Sequence, residues 1–101
     1  DNMRRYADTG VAELIRKMCS YGAKKRRITA KIAGGAQMFS GDSDVFSVGE
    51  RNVAAVKQAL QSSKIPIVAE QTGLDFGRTV FFYSEDGTME VRAPSRPAIK
   101  V

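Results

Sequence analysis

The apolar residues of this chain change their period along its length, and that change limits the fold more than any other property. Val11, Leu14, Ile15, Met18 and Cys19 recur at three-and-four spacing, with Glu13, Arg16 and Lys17 opposite. This is the pattern of an amphipathic helix. Gly22 supplies its stop, and the Asn, Asp and Thr residues between Asn2 and Thr9 are candidate caps for its start. A second helix is predicted from Val53, Val56, Ala59 and Leu60, ending near Ser62-Ser63. Ser47-Val48-Gly49-Glu50 before it has the spacing of a capping box, in which serine oxygen and glutamate satisfy unpaired amide donors. Elsewhere the period drops to two. Ile28, Ala30 and Ile32 alternate with Thr29 and Lys31, a half-buried strand ended by Gly34-Gly35. Ile65–Glu70 is a second short strand, with Pro66 tolerable only at a strand's start or edge. Thr79–Tyr83 and Thr88–Arg92 flank Glu85-Asp86-Gly87, and Asp-Gly between two strand-like runs is a hairpin signal.

The order is therefore helix, strand, helix, strand, strand, strand. The expected fold is α/β in the α+β sense, a two-layer sandwich with two helices packed on one mixed β-sheet. At 101 residues the chain fits a single domain, and four short strands give it a thin core with an open sheet edge. Gly10 falls inside the first helix, which suggests close packing there or a late helix start. Residues Ser40 to Ser47 read as a loop, and the tail 93–101, with two of the three prolines, reads as irregular.

Little in the residues carries chemistry unaided. The sequence has no histidine, so the commonest general base and nitrogen ligand is missing from it. Cys19 is the one cysteine; on the apolar side of its helix and without a base, it reads as buried and inert. One cysteine excludes an internal disulfide framework, and no apolar run approaches the length of a membrane span. A reducing, cytoplasmic setting is the default expectation, with no membrane insertion. Asp42 and Asp44 form an Asp-x-Asp, but the ligand count falls short of a calcium loop, so no metal is assigned. Gly34-Gly35-Ala36-Gln37 lacks both the dinucleotide and phosphate-loop patterns and reads as a tight, closely packed turn. Gly73 and Gly77 read as turn residues with positive φ. No cofactor is expected. The run Lys24-Lys25-Arg26-Arg27, in a chain of net charge +5, reads first as a solvated loop. Only Tyr21 lies near it, so nucleic-acid binding is not supported.

The order of words goes further than periodicity. Arg5-Tyr6-Ala7-Asp8, Ala30 to Met38 (Ala-Lys-Ile-Ala-Gly-Gly-Ala-Gln-Met) and Val48 to Val53 (Val-Gly-Glu-Arg-Asn-Val) form three blocks. Ile65-Pro66-Ile67-Val68-Ala69-Glu70, then Thr72-Gly73 and Gly77-Arg78, continue them. In this order and spacing, from about Arg4 to about Arg92, the chain resembles the chemoreceptor glutamine deamidases of bacterial chemotaxis, the CheD family. One departure is Gly73-Leu74, where the family usually has a glycine pair.

The resemblance implies an enzyme that hydrolyses receptor glutamine side chains to glutamate with release of ammonia. In the family a cysteine thiolate attacks the carboxamide carbon, a histidine carries the proton to the leaving ammonia, and water clears the thioester. It also implies methyl-accepting chemoreceptors as protein substrate and, for some members, a CheC-type chemotaxis phosphatase as partner. The family's cysteine and histidine precede the Arg5-Tyr6-Ala7-Asp8 helix, so both are expected upstream of Asp1, and no catalytic residue is assigned within these residues. The chain then reads as the C-terminal two-thirds of one deamidase domain, with a sheet incomplete without the upstream segment. The substrate or partner surface is expected at Gly34, Gly35, Ala36, Gln37, Asn52, Gly73, Gly77 and Arg78. The other reading is a non-catalytic module that docks on receptor helices or on the phosphatase, with Lys24 to Arg27 and the loops around Gly34–Met38 and Gly73–Arg78 as contact candidates.

Overall fold

The structure, a computed structural model, describes residues 2–36 and 48–101. Helix α1 spans Asn2–Ser20 and is followed by a single 3-10 turn, Lys25–Arg27. Strand β1 is Ala30–Gly34, helix α2 is Val48–Ser62, and β2 is Ile67–Thr72. The chain continues through β3 (Thr79–Tyr83), β4 (Thr88–Arg92) and β5 (Ile99–Lys100). The expected loop Ser40–Ser47, with Asp42, Asp44 and the Ser47 cap, lies outside the described residues, as does Gln37.

Both helices end in the same way for different local reasons. At the end of α1 the Gly22 amide donates to the Cys19 carbonyl and the Ala23 amide to the Met18 carbonyl, with Gly22 at φ 106. That is a Schellman stop, and glycine adopts its left-handed residue without a Cβ clash. At the end of α2 the Lys64 amide donates to Gln61 and the Ile65 amide to Leu60, with Lys64 itself at φ 61. Here a lysine takes the strained position, held by burial of Leu60 and Ile65, the apolar pair that accompanies this motif. The motif consumes Ser63 to Ile65, so β2 starts at Ile67, two residues later than the periodicity predicts. Pro66 precedes the strand, and its carbonyl accepts from the Ala30 amide. A prolyl residue without an N–H is well placed there.

The strands divide into two sheets, where the sequence predicted one mixed sheet. β1 and β2 form a parallel pair, Ala30 opposite Ile67 and Gly34 opposite Thr72, with one irregularity after Ala30. Parallel neighbours need a crossover, and α2 lies on it. β3, β4 and β5 form an antiparallel sheet in that order, with Phe82 opposite Met89, Val80 opposite Val91, and Val91 opposite Ile99. The tail expected to be irregular thus contains β5, and the Val101 and Met89 backbones also exchange two hydrogen bonds. The hairpin is where Asp-Gly placed it. Gly87, at φ 75, donates to the Tyr83 carbonyl, and the Thr88 amide donates to Asp86 Oδ1. The second bond holds the Asp86 carboxyl below its ordinary range.

The core is thin, as expected. Among the described residues its buried apolar members are Ala55, Ala59, Leu60, Ile65, Met89 and Val91. Helix α1 packs against α2, and α2 against β1. The apolar stripe of α1 is not fully covered: Leu14 is 60% exposed, and Cys19, predicted buried, is exposed. Periodicity located the stripe, but α2 covers only part of it. Gly10 likewise serves neither expectation, since the helix begins well before it and a Cβ there would meet open space.

Glu90 is the buried polar residue of the described core. It accepts from Tyr83 Oη at 2.9 Å and from Arg92 Nε at 2.6 Å, on the face that also carries Phe81. The Arg92 guanidinium lies 4.5 Å from the centre of the Phe81 ring. Arg92 first, then Tyr83, lowers the Glu90 pKa, while Glu90 raises that of Tyr83.

Two expected outcomes follow from this packing. Because Glu90 binds its proton less readily folded than unfolded, its contribution is fully present above the ordinary glutamate range near pH 4.5 and fades as pH falls through the lower folded value. Denaturant titrations from pH 6 to 2.5 are expected to show a shallower acid limb for Glu90→Gln than for the parent; parallel limbs would contradict the assignment. Leu74 has φ 61, a left-handed conformation that glycine adopts without a Cβ clash. Replacing it by glycine is expected to raise stability by about 1 kcal/mol, the difference between left-handed strain and glycine's added chain entropy. Chemical denaturation of the two proteins measures it.

Candidate functional site

At the C-terminal end of β1 the chain makes an approach that side chains would forbid. Gly35 has φ 71, and a Cβ on it would lie 2.3 Å from Val53 Cγ2 and 3.0 Å from the Gly49 carbonyl oxygen. A Cβ on Gly49 would lie 2.4 Å from the Gly35 carbonyl oxygen. The exit of β1 therefore lies directly on the first turn of α2, which is the closely packed turn predicted from Gly34-Gly35. At the same edge the Gly73 amide donates to the Gly34 carbonyl at 3.0 Å, extending the β1–β2 ladder by one bond.

Beside this crossing lies a cleft of about 280 Å³, lined by Ala33, Gly34, Gly35, Ala36, Phe76, Gly77, Arg78 and Val80. Five of the predicted surface residues thus converge: Gly34, Gly35, Ala36, Gly77 and Arg78. Gly73 supports the cleft through its bond to Gly34 but does not line it. Asn52 is exposed on α2 and is not part of the lining. The positive φ expected at Gly77 falls on Leu74 instead, and Gly73 keeps its own at 75.

The distinctive group in the cleft is Arg78. Both terminal nitrogens of its guanidinium are buried, and neither has a hydrogen-bond partner among the described residues. Its carbon lies 4.7 Å from the centre of the Phe76 ring, and the Arg96 guanidinium lies 3.9 Å from the same centre. The ring face offsets part of the cost of burying a cation, but it accepts no conventional hydrogen bond. Among the described residues no carboxylate lines the cleft, and Arg78 is its charged lining residue. The nearest structured carboxylate of β2 is engaged elsewhere: Glu70 pairs with Lys57 at 2.8 Å and accepts from Thr72. Lys57, ahead of Thr72, lowers its pKa. Phe76 falls within the loop Gly73–Arg78 expected as a contact candidate, whereas Arg96 lies outside every expected site segment. A phenylalanine two residues before Arg78 inside a Gly-bounded loop was the available signal.

A second hollow, of about 440 Å³, lies between the end of α1 and the 3-10 turn, with Met18, Lys24, Arg27 and Ile28 in its wall. The residues Lys24 to Arg27 are exposed, as a solvated basic segment should be. Among the described residues no three His, Cys, Asp or Glu side chains are grouped so as to hold a metal ion, and no helix is long and apolar enough to cross a membrane.

Comparison with known proteins gives one family. A family model described as CheD chemotactic sensory transduction matches residues 1–93. A probable chemoreceptor glutamine deamidase CheD of Caldanaerobacter subterraneus is 52% identical over 93 residues, covering 90% of this chain and 57% of the relative. A protein of the same description from Lachnoclostridium phytofermentans is 45% identical, covering 100% of this chain and 64% of the relative. The chemoreceptor glutamine deamidase CheD of Halalkalibacterium halodurans is 44% identical over 93 residues, covering 90% of this chain and 57% of the relative. The chain thus spans about three-fifths of the length of these curated relatives.

A buried guanidinium without an acceptor is a stability cost. Arg78→Met, which keeps length and the ring contact but removes the charge, is expected to stabilise the protein by about 1 kcal/mol. A fall in Tm for that variant would mean that the guanidinium is already satisfied.

Proposed function

The chain belongs to the CheD family, and from that premise we propose that it is part of an enzyme that hydrolyses glutamine side chains of chemoreceptors to glutamate with release of ammonia. The observation that carries this is the family match over residues 1–93, together with relatives described as chemoreceptor glutamine deamidases. Supporting it, five of the expected surface residues meet in one cleft at the β1–α2 crossing.

The division of labour follows from what these residues contain. Hydrolysis of an unactivated amide by a thiol needs a thiolate and a group to protonate the departing ammonia. The sequence offers Cys19 alone as a thiol and no histidine. Cys19 is exposed on α1 and is not among the residues that line the cleft. We therefore assign the nucleophile and base to residues outside this sequence, and to the present chain the scaffold and the partner-facing cleft. The methyl-accepting receptors are the proposed protein substrate, and a CheC-type phosphatase is a further proposed partner of the same surface. Deamidation replaces a neutral amide by a carboxylate and so adds a negative charge to the receptor segment. The non-catalytic docking module is the second reading, favoured by the absence of a base in these residues.

Ammonia release from receptor protein decides between them. The 101-residue chain alone is expected to release none, and the complete protein that carries it is expected to be active. Cys19→Ser in the complete protein is expected to leave the rate unchanged. A loss of activity in that variant would move the chemistry onto α1 and overturn the assignment, and an inactive complete protein would favour the docking module.

A further inference from the structure

Helix α1 keeps an apolar ridge that nothing among the described residues covers. Tyr6, Gly10, Leu14, Met18 and Tyr21 follow one another at helical spacing, which places them along one side of α1 and its end. Tyr6, Leu14, Met18 and Tyr21 are exposed, and a Cβ on Gly10 would meet nothing within 4 Å, so a notch lies between Tyr6 and Leu14. Ala7, Val11 and Ile15, each one position along, are half-buried, on the side that packs against α2. Single exposed apolar residues are ordinary, but a continuous row that runs into a hollow is the mark of a contact surface. This row ends at the hollow of about 440 Å³, whose wall includes Met18, Ala23 and Ile28. The same end is basic. Lys24 and Arg27 line the hollow, Lys25 and Arg26 lie between them in the chain, and Lys17 is in the last turn of α1. All five are exposed, and none has an ion pair among the described residues. Glu13, the carboxylate of that half of the helix, is already held by Arg16 through two hydrogen bonds.

We infer that this ridge and hollow dock an amphipathic helix of a protein partner, lying antiparallel to α1, with its apolar stripe on the ridge and the carboxylates of its first turn at Lys24 and Arg27. Apolar residues at four-and-three spacing match the anchors of a second helix. An antiparallel helix brings its N-terminal turn to the basic end, and acidic residues are favoured in that turn by the helix dipole. A nucleic acid would meet the cations but leave the ridge bare, and among the described residues no aromatic side chain lines the hollow to stack a base. A second copy of α1 does not fit in this orientation, because its first turn carries no acidic residue. The inference goes beyond the deamidase reading. It is read out by binding and that reading by ammonia, so the two fail separately.

The test is a titration of the complete protein, following the backbone amide resonances of Gly10, in the ridge, and Gly22, in the wall of the hollow. The probe is a capped helical peptide with leucines along one face and glutamates in its first turn. Its controls are the same peptide with those glutamates changed to glutamine, with the glutamates moved to its last turn, and with the leucines changed to serine. The probe is expected to shift both resonances saturably, to bind about fivefold or more tightly than any control, and to weaken as salt is raised. Lys24→Gln combined with Arg27→Gln is expected to weaken it by about fivefold and to flatten its salt dependence. Leu14→Gln is expected to weaken it by about tenfold and to leave the salt dependence in place. No binding, equal binding of the glutamate and glutamine peptides, or shifts confined to other resonances overturn the proposal. Tighter binding of oligothymidylate or of phosphatidylglycerol vesicles at these resonances, or self-association of the protein through them, overturns it as well. The substituted side chains are exposed, and the peptide comparison on the unaltered protein decides without them.

Discussion

Two backbones meet without side chains where the end of β1 passes the first turn of α2, and that approach fixes what lies around it. A methyl group on Gly35 would overlap Val53, and one on Gly49 would overlap the carbonyl of Gly35. Helix α2 therefore lies against the strand exit at backbone distance, and the chain from Gly34 to Ala36 passes directly over its first turn. The cleft takes its first wall from that path. Its other wall comes from the segment after β2, tied to the same edge by the Gly73–Gly34 bond. Close glycine packing and site geometry are here one constraint.

The polar interactions complete the frame. Lys57–Glu70 ties α2 to β2, and the Tyr83–Glu90–Arg92 group ties the two long strands of the hairpin. In both, the carboxylate has more than one donor, which suits groups at the margin of a thin core. The contrast with Arg78 is informative. A fold that satisfies these carboxylates leaves one buried guanidinium open, and such exceptions concentrate where a protein meets something else.

Much of this was legible in the sequence because it is local. Both helices, the hairpin strands and the Gly22 stop follow from spacing and from single residues whose conformational preferences are strong. What was not legible depends on distant partners. The periodicity of α1 marks Leu14 and Cys19 as apolar-side residues, yet nothing local says that α2 leaves them open. β5 is two residues long, close behind Pro97, and exists because β4 offers it an edge. The split into two sheets is likewise a matter of pairing across long separations. The late start of β2 was masked because the left-handed cap residue is a lysine, which carries no compositional signal. Of the site, Gly34, Gly35, Ala36, Gly77 and Arg78 were found through family word order rather than periodicity. Arg96 was not legible because a cation over a ring leaves no repeat in the sequence.

One side chain spans the boundary between the sheets. Lys31, on β1, donates its ammonium to the carbonyls of Gly87 and Val101, at 2.5 Å and 2.7 Å, reaching the hairpin turn and the strand beyond it. Within each sheet, neighbouring strands are clamped by backbone ladders. Across the boundary, this lysine joins them with four methylenes and a charged tip. The walls of the cleft fall on opposite sides of the same boundary, with Ala33 and Gly34 in the parallel pair and Val80 in the antiparallel sheet. Lys31 thus joins, from outside the cleft, the two sheets that between them supply its walls.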